Sequence, residues 1–444
     1  MLLGVDVTEI LANPINMLGV LAALVISIFL IIKKLNPVLA MFFGVFVGAL
    51  VGGANLTQML DIFTVGGRQV VAINIRIIAG GVLAGALIET GAAESIARGI
   101  VKGLGEKRAL LAITLSAMVV TGVGVFIPVA MLVVSPVALA VAYKAEISKF
   151  AAILAISGGA KAGNIMSPNP NALAAATSFE IPLSDVMLNG FIPGIVALTT
   201  TVLLGGLLKK KHPMVNASDI DTVAGGESAL PPFGKAIVAP AVTVGLLMLN
   251  PIGDIVGIAA ISSAVLPMDP LYVLPLGATA GVIAMGKAKN LANIATQGVL
   301  RMAPVVLMLF GAGTIGGLIM LSVFPQIIQD TMTNLGLPYF LIAPISSTIF
   351  ASATGSHAAG VIIASEAFAV PIMQAGIPAI SAAVMLHAGG GFLDVVPHGN
   401  IFLATQQGMK ADMSSRLKVM PFEALVGAST VTTAVLLHLL GFWG

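Results

Sequence analysis

Apolar residues along this chain fall in long unbroken blocks, as in "LGVLAALVISIFLII" at 18–32. They do not alternate with polar ones. Continuous blocks of this length predict membrane-crossing helices, whereas barrel strands would alternate every second residue. The blocks predict spans over about 15–33, 36–54, 69–91, 149–178 and 185–208. A second set lies at about 233–250, within 254–286, and at 299–323, 377–406 and 419–441. Between the sets runs one polar stretch, "KKKHPMVNASDIDTVAGGESALPP", at 209–232. It reads as a cytoplasmic linker between a first unit, 1–208, and a second, 233–444.

Two apolar stretches are too long for one span and interrupted at their centres. Residues 109–142 break at Thr121-Gly122-Val123-Gly124, and 339–370 break at Thr354-Gly355-Ser356-His357. An arm from Ala109 to Gly122 rises about 21 Å as helix, short of a hydrocarbon core of about 30 Å. Both stretches therefore predict re-entrant hairpins with polar tips.

Two spans carry helix breakers in their middles. The first, 149–178, contains "GGAKAGNIMSPNPNALAAAT" at 158–177. As one helix, Lys149 to Thr177 would run about 43 Å, and Pro168 and Pro170 each remove a donor. Two half-helices joined by unwound backbone are expected. Such backbone is tolerated at membrane depth only beside protein or a watery cavity. The second half-helix, starting near Asn169, would offer free N–H groups and a positive dipole end to an anion. Asn164, Ser167, Asn169 and Asn171 would supply neutral donors and acceptors there, or would cap the broken ends. Lys161 reads as a surface-seeking tail, one partner of an ion pair, or a counter-charge for an anionic substrate. The second broken span, 377–406, contains "HAGGGFLDVVPHGN" at 387–400. It places Asp394 between His387 and His398 and ends on Asn400. Ionisable groups at membrane depth are candidates for function, and histidine titrates near neutral pH. His357, Glu366, Asp394 and His398 are therefore candidate proton-coupling residues. Thr121, Gly122, Gly124, Thr354, Gly355 and Ser356 at the hairpin tips join the candidate substrate site.

Composition agrees with the pattern. The chain of 444 residues is 58% hydrophobic and 9% charged, with mean hydropathy +1.06. A soluble chain carries about 25% charged residues, so a multi-pass membrane protein is expected. Fifty glycines suit close helix packing or broken helices. A net charge of +2 gives no footprint for nucleic acid, and the absence of cysteine excludes disulfides and thiol chemistry. Asp6 and Glu9 precede the first apolar run, so a cleaved secretory signal is not expected. Asn216-Ala217-Ser218 matches a glycosylation sequon of a kind that arises by chance. Basic clusters at 33–34, 98–108, 144–149, 209–211, 287–301 and 410–418 place those segments on the cytoplasmic side. Arg68 and Arg76 fall on the other side and fit that layout poorly.

The two units also echo each other. Thr121-Gly122 recurs as Thr354-Gly355, "GALI" at 85–88 as "GGLI" at 316–319, and "TTTVLL" at 199–204 as "TTAVLL" at 432–437. The offsets are similar and the order is the same. With one hairpin opening to each side, this predicts inverted repeats of about five spanning helices each, a build common in secondary transporters. No G-x-S-x-G elbow is present and Gly253-Asp254 lacks a partner aspartate, so an enzyme is not expected. No metal site or cofactor is expected either.

The stretches "MSPNPNALAAATSFEIPLSDVMLNGFIPG" and "FLDVVPHGNIFLAT", with the hairpins, resemble the gluconate permease family within the ion-transporter superfamily. Ser167-Pro168-Asn169-Pro170-Asn171 is similar to that family's proline-rich motif. Asp394-Val395-Val396-Pro397-His398-Gly399-Asn400 is similar to its second motif, with "HGN" where "HNG" is usual. The resemblance covers nearly the whole chain. It implies an all-α transporter of the plasma (inner) membrane that takes up gluconate or a related hydroxy-carboxylate with protons. It further implies a homodimer in which a transport domain slides against a scaffold. A sodium-coupled di- or tricarboxylate transporter is the alternative, since carbonyl and Asn oxygens also suit sodium.

Overall fold

The computed structural model describes residues 13–443 except Lys34, His212, 221–229, 262–266, Leu335, Leu337 and His398. His398, a candidate coupling residue, thus lies outside the described residues. The fold is all-helical, and no strand occurs among the described residues. Among the described residues, six helices are long and apolar enough to cross a membrane: Val71–Glu89, Ile127–Lys144, Phe191–Leu208, Ala288–Met320, His357–Gln374 and Met413–Leu439.

In chain order the first unit contains α1 (Met17–Ile32), α2 (Pro37–Val51), α3 (Leu56–Gln69), α4 (Val71–Glu89) and α5 (Ala92–Leu104). Then come α6 (Ala109–Gly122), α7 (Ile127–Lys144), α8 (Lys149–Asn164), α9 (Pro170–Ser178), α10 (Leu183–Asn189) and α11 (Phe191–Leu208). The second unit holds α12 (Phe233–Ala236), α13 (Val238–Leu247), α14 (Leu249–Val256), α15 (Pro270–Ala284), α16 (Leu291–Met320) and α17 (Phe324–Asn334). It closes with α18 (Ile342–Thr354), α19 (His357–Gln374), α20 (Ala379–Gly390), α21 (Asn400–Gly408) and α22 (Met413–Leu439). The starts of α7, α8, α9 and those of α19, α20, α21 are each 230 residues apart.

Local chemistry explains the breaks. Gly124, at φ +101°, turns the chain between α6 and α7, and Gly355, at φ +64°, turns it between α18 and α19. Both angles favour a residue without Cβ. Ser148 caps α8 by accepting from Ala151 N, and Asn169 caps α9 by accepting from Asn171 N and Ala172 N. Pro170 then takes the first helical position of α9, where its missing N–H costs nothing.

α16, 30 residues long with Pro304 inside it, runs beside α2, α3, α4 and α19. Glycines let it come close. A Cβ on Gly298 of α16 would sit 2.1 Å from Gly81 O of α4, and one on Gly313 2.3 Å from Gly66 O of α3. Such contacts supply dispersion where lipid offers no hydrophobic drive. Around the breaks, α6 packs on α8, α18 on α19 and α20, and α9 on α19. A Cβ on Gly163 of α8 would come 1.9 Å from Met118 O of α6.

Several segments depart from expectation. The block at 185–208 divides at Gly190 into α10 and α11. α3 and α5 were not expected, since only one face of each is apolar. Arg76 pairs with Asp269 at 2.7 Å, which gives a residue at odds with the charge layout a protein partner. The described part of the polar linker is docked rather than free: Asp219 is buried and holds Lys149 Nζ at 2.7 Å. Arg416, grouped above with the cytoplasmic cations, is instead fully buried. Its Nη1 and Nη2 reach Glu423 at 2.5 and 3.0 Å, and its Nε donates to Thr405 at 2.7 Å.

Candidate functional site

The unwound segments after α8 and α20 meet inside the molecule. Lys161, from the last turn of α8, reaches across to the second broken span. Its Nζ lies 2.6 Å from Asp394 Oδ1 and donates to Gly391 O at 2.6 Å. Both side chains are buried, at 3% and 0% exposure, so each charge depends on the other rather than on water. Of the three readings open for Lys161, the ion pair is the one realised.

His357, first residue of α19, stands on the other side of Asp394. Its Nδ1 is 3.4 Å from Asp394 Oδ2 and its Nε2 is 3.0 Å from His387 O. A carbonyl only accepts, so Nε2 carries the hydrogen. The rings of His357 and His387 meet edge to face at 5.3 Å. His387 Nε2 lies 3.3 Å from Asn164 Nδ2. One buried network thus ties α8, α19, α20 and both unwound segments together.

The polar residues of the first break bind mostly to one another. Asn169 Nδ2 donates to Asn164 O at 2.6 Å, Asn164 Oδ1 at 2.9 Å and Ser167 Oγ at 2.6 Å. Asn171 Nδ2 approaches Asn164 Oδ1 at 3.4 Å. Asn171 Oδ1 is buried without a hydrogen-bond partner among the described residues. Thr121 spends its hydroxyl on backbone, donating toward Ala117 O and Ala160 O, each at 2.9 Å. Gly124 faces Pro168, and Gly122 borders a cavity of about 330 Å³ with Met118, Val123, Met166 and Met187. That space is apolar and offers an anion nothing.

The second break is different. Thr354, Ser356 and Asn400 line a cavity of about 580 Å³ that opens between α18, α19 and α21 on one side and α2 and α16 on the other. Asn36 and Arg301 face it from the second side. Ser356 caps α19 by accepting from Ala359 N at 3.3 Å. Gly355 O accepts from Asn400 N at 2.8 Å, which joins the hairpin turn to the start of α21. α21 has no side-chain cap, because its N-cap is Gly399. A Cβ there would fall within 3.0 Å of Asp394 O, Gly355 O and Val396 O. The first turns of α19 and α21 therefore both border one cavity, each with the partial positive charge of a helix start. Arg301 adds a full cation, paired with Glu89 at its half-exposed guanidinium.

Residues 15–439 match the family profile described as GntP family permease. The chain belongs to the GntP permease family. GntP members are permeases, so this chain is a multi-pass membrane transporter and not an enzyme. Its similarity to an uncharacterized transporter of Haemophilus influenzae is 41% identity over 425 residues, covering 96% of this chain and 98% of that one. It is 23% identical over 384 residues to a gluconate permease of Pseudomonas aeruginosa, covering 83% of this chain and 84% of that one. In fold it is similar to the YdaH transporter of Alcanivorax borkumensis, with a TM-score of 0.59, 13% identity and coverage of 88% of this chain and 90% of that one.

Apart from the hairpin-turn residues Thr121, Gly122, Gly124 and Gly355, the described candidate residues of this GntP permease fall in three places. Lys161, Asn164, Ser167, Asn169, Asn171, His357 and Asp394 share the buried network. Thr354, Ser356 and Asn400 border the cavity at the second break, whose walls are otherwise mostly apolar. Glu366 stands apart, bonded to Ser178 at 2.8 Å. Sequence reasoning missed Arg301 and Asn36 in the cavity, and the buried Arg416–Glu423 pair. The last pair had a signal: a spacing of seven residues puts both on one face of a helix. Arg301 was absorbed into a basic cluster, although "VLRMAPVV" at 299–306 sets it within an apolar run.

Proposed function

We propose that this GntP permease is a proton-coupled symporter that carries gluconate or a related hydroxy-carboxylate anion into the cell across the plasma (inner) membrane. The observation that carries the reading is the cavity at the second break. It combines Arg301, paired with Glu89, with the hydroxyls of Ser356 and of Thr354, which donates to Phe350 O at 2.7 Å and can still accept, the amides of Asn400 and Asn36, and two helix starts. A hydroxy-carboxylate has the matching groups: one anionic end for the guanidinium and helix dipoles, and hydroxyls for the neutral partners. The likeness to a gluconate permease supports the substrate class.

The recurrence of element starts 230 residues apart supports an inverted repeat of 1–208 and 233–444. In this reading α6–α9 and α18–α21 form the transport unit, locked together by Lys161–Asp394, and α2, α4 and α16 belong to the scaffold. The cavity lies between the two, so sliding the unit would carry a bound anion past α16. Two copies would join through their scaffolds as a homodimer.

The test is uptake into proteoliposomes of labelled gluconate and a panel of short hydroxy acids, di- and tricarboxylates. Accumulation under an inward proton gradient, and counterflow with trans substrate, are expected. Accumulation driven by sodium alone replaces the proton with sodium. No uptake of any carboxylate under either gradient overturns the transporter reading.

A further inference from the structure

Glu366 lies on α19 nine residues past His357, about 13 Å along the helix axis, and so outside the Lys161–Asp394–His357 network. It is 4% exposed. Oε1 accepts from the Ser178 hydroxyl at 2.8 Å. Oε2 is buried with no hydrogen-bond partner among the described residues. The side chain borders a small cavity of about 60 Å³ with Gly316, Ile319 and Met320 of α16 and Gln374 of its own helix. Gly316 presents bare backbone there; a Cβ would come 2.7 Å from Glu366 O. That close approach holds the backbones of α19 and α16 together, while the cavity beside the side chain has room for an ordered water or two and Oε2 itself is buried.

No counter-charge faces this carboxyl from the helices packed on α19, which are α9, α16, α18 and α20. α9 and α18 contain no ionisable side chain. α20 contains only His387, which stands against His357. α16 contains only Arg301, fifteen residues before Gly316 and paired with Glu89. Glu180, two residues past Ser178, is exposed and borders a different cavity. A carboxylate at Glu366 would be a buried charge with one hydroxyl for company, which is costly; a neutral acid is not. Asp394 is the opposite case. Protonating it would leave Lys161 as a buried cation without its counter-ion.

Building on the symporter reading, we propose that Glu366, rather than Asp394, carries the coupling proton. In the described arrangement it is a neutral carboxylic acid bonded to Ser178. When α9 and α19 move along α16, the contact with Gly316 opens and joins the carboxyl to bulk water. The O–H bond then breaks, the proton passes to water and the carboxylate keeps the electron pair. Reloading from the other side is the reverse step.

One readout needs no substrate. Infrared difference spectra of the full-length protein in lipid, taken across a pH titration, are expected to contain the carbonyl stretch of a buried protonated carboxyl. That band is lost in Glu366→Gln, shifted in Ser178→Ala and retained in Asp394→Asn. A band unchanged in Glu366→Gln overturns the proposal whatever the substrate is. The second readout uses labelled gluconate in proteoliposomes. Glu366→Gln is expected to keep counterflow and lose accumulation driven by a proton gradient, with Ser178→Ala shifting its pH profile. Full proton-driven accumulation in Glu366→Gln overturns the proposal. A wild-type protein that moves no carboxylate yet loses its band in Glu366→Gln fails the transport reading while keeping Glu366 as the proton site, so the two failures are told apart.

Discussion

In the first broken span, Asn169 caps α9 and its amide also ties down Asn164 and Ser167. In the second, Gly399 holds the equivalent cap position of α21 and offers no side chain. The first break satisfies its helix ends from within and is buried. The second leaves a helix start uncapped beside a cavity that Thr354, Ser356, Asn400 and Arg301 line. The same device, a helix interrupted at membrane depth, thus serves as a sealed joint in one unit and as an open one in the other. A buried polar group must find a partner. In the first break that partner is another residue of the chain for all but Asn171 Oδ1; in the second there is room for a ligand to supply it.

Removing what joins the two breaks gives the largest effect. Lys161→Met leaves Asp394 buried and uncompensated, with an expected loss of about 3–5 kcal/mol. Thermal unfolding in detergent checks this. Lys161→Met combined with Asp394→Leu is expected to recover part of the loss, because no lone charge remains. A double variant no more stable than Lys161→Met would mean that the two residues do not act as a pair.

The next contrast sets one break against the other. Asn169→Ala removes a helix cap and the two side-chain N–H donors shared among Asn164 and Ser167, for about 1–2 kcal/mol of stability, with little change in gluconate affinity. Ser356→Ala is expected to do the reverse: about five-fold weaker gluconate binding, the worth of one neutral hydrogen bond, with a smaller change in melting temperature. Binding and melting measured on both variants decide it. Equal affinity losses in the two would erase the distinction between a sealed and an open break.

The smallest effect lies just past the second break. Asp412 caps α22, accepting from Ser415 N at 2.8 Å and Ser415 Oγ at 2.7 Å, and these bonds hold its carboxyl below the ordinary aspartate range. A lowered native value means the stabilisation is full above the unfolded-state value, near pH 4. It fades as pH falls through the native value. Melting curves of wild type and Asp412→Ala are expected to differ slightly at neutral pH and to converge in acid. A gap that persists in strong acid would show that charge plays no part in this cap.

Both breaks were legible in the sequence, because proline, glycine and asparagine within apolar blocks state where a helix cannot continue. Thr121-Gly122 and Thr354-Gly355 marked the two other turns for a similar reason. Asp394 and Lys161 were legible as rare charges at depth, but not as partners. They are 233 residues apart, the offset at which Thr121 recurs as Thr354, which marks them as equivalent positions of the two units and says nothing of a contact between them. Arg301 was counted with the cytoplasmic cations, and its half-exposed guanidinium is at odds with nothing in that count; what charge counting left out is which helix stands opposite it.

By itself the sequence determined the class of the protein, most of its long apolar helices and the two central places where they break. Those follow from local propensity and from the requirement that backbone in lipid bond to itself. Only the tertiary structure decided which polar residues are spent on the chain and which remain for a ligand. It set Lys161 against Asp394, left Glu366 with one hydroxyl, and gathered Thr354, Ser356, Asn400 and Arg301 around one space. Those outcomes depend on which helices come within a few ångströms of each other, and in this protein that is governed by glycines whose contacts lie in distant parts of the chain.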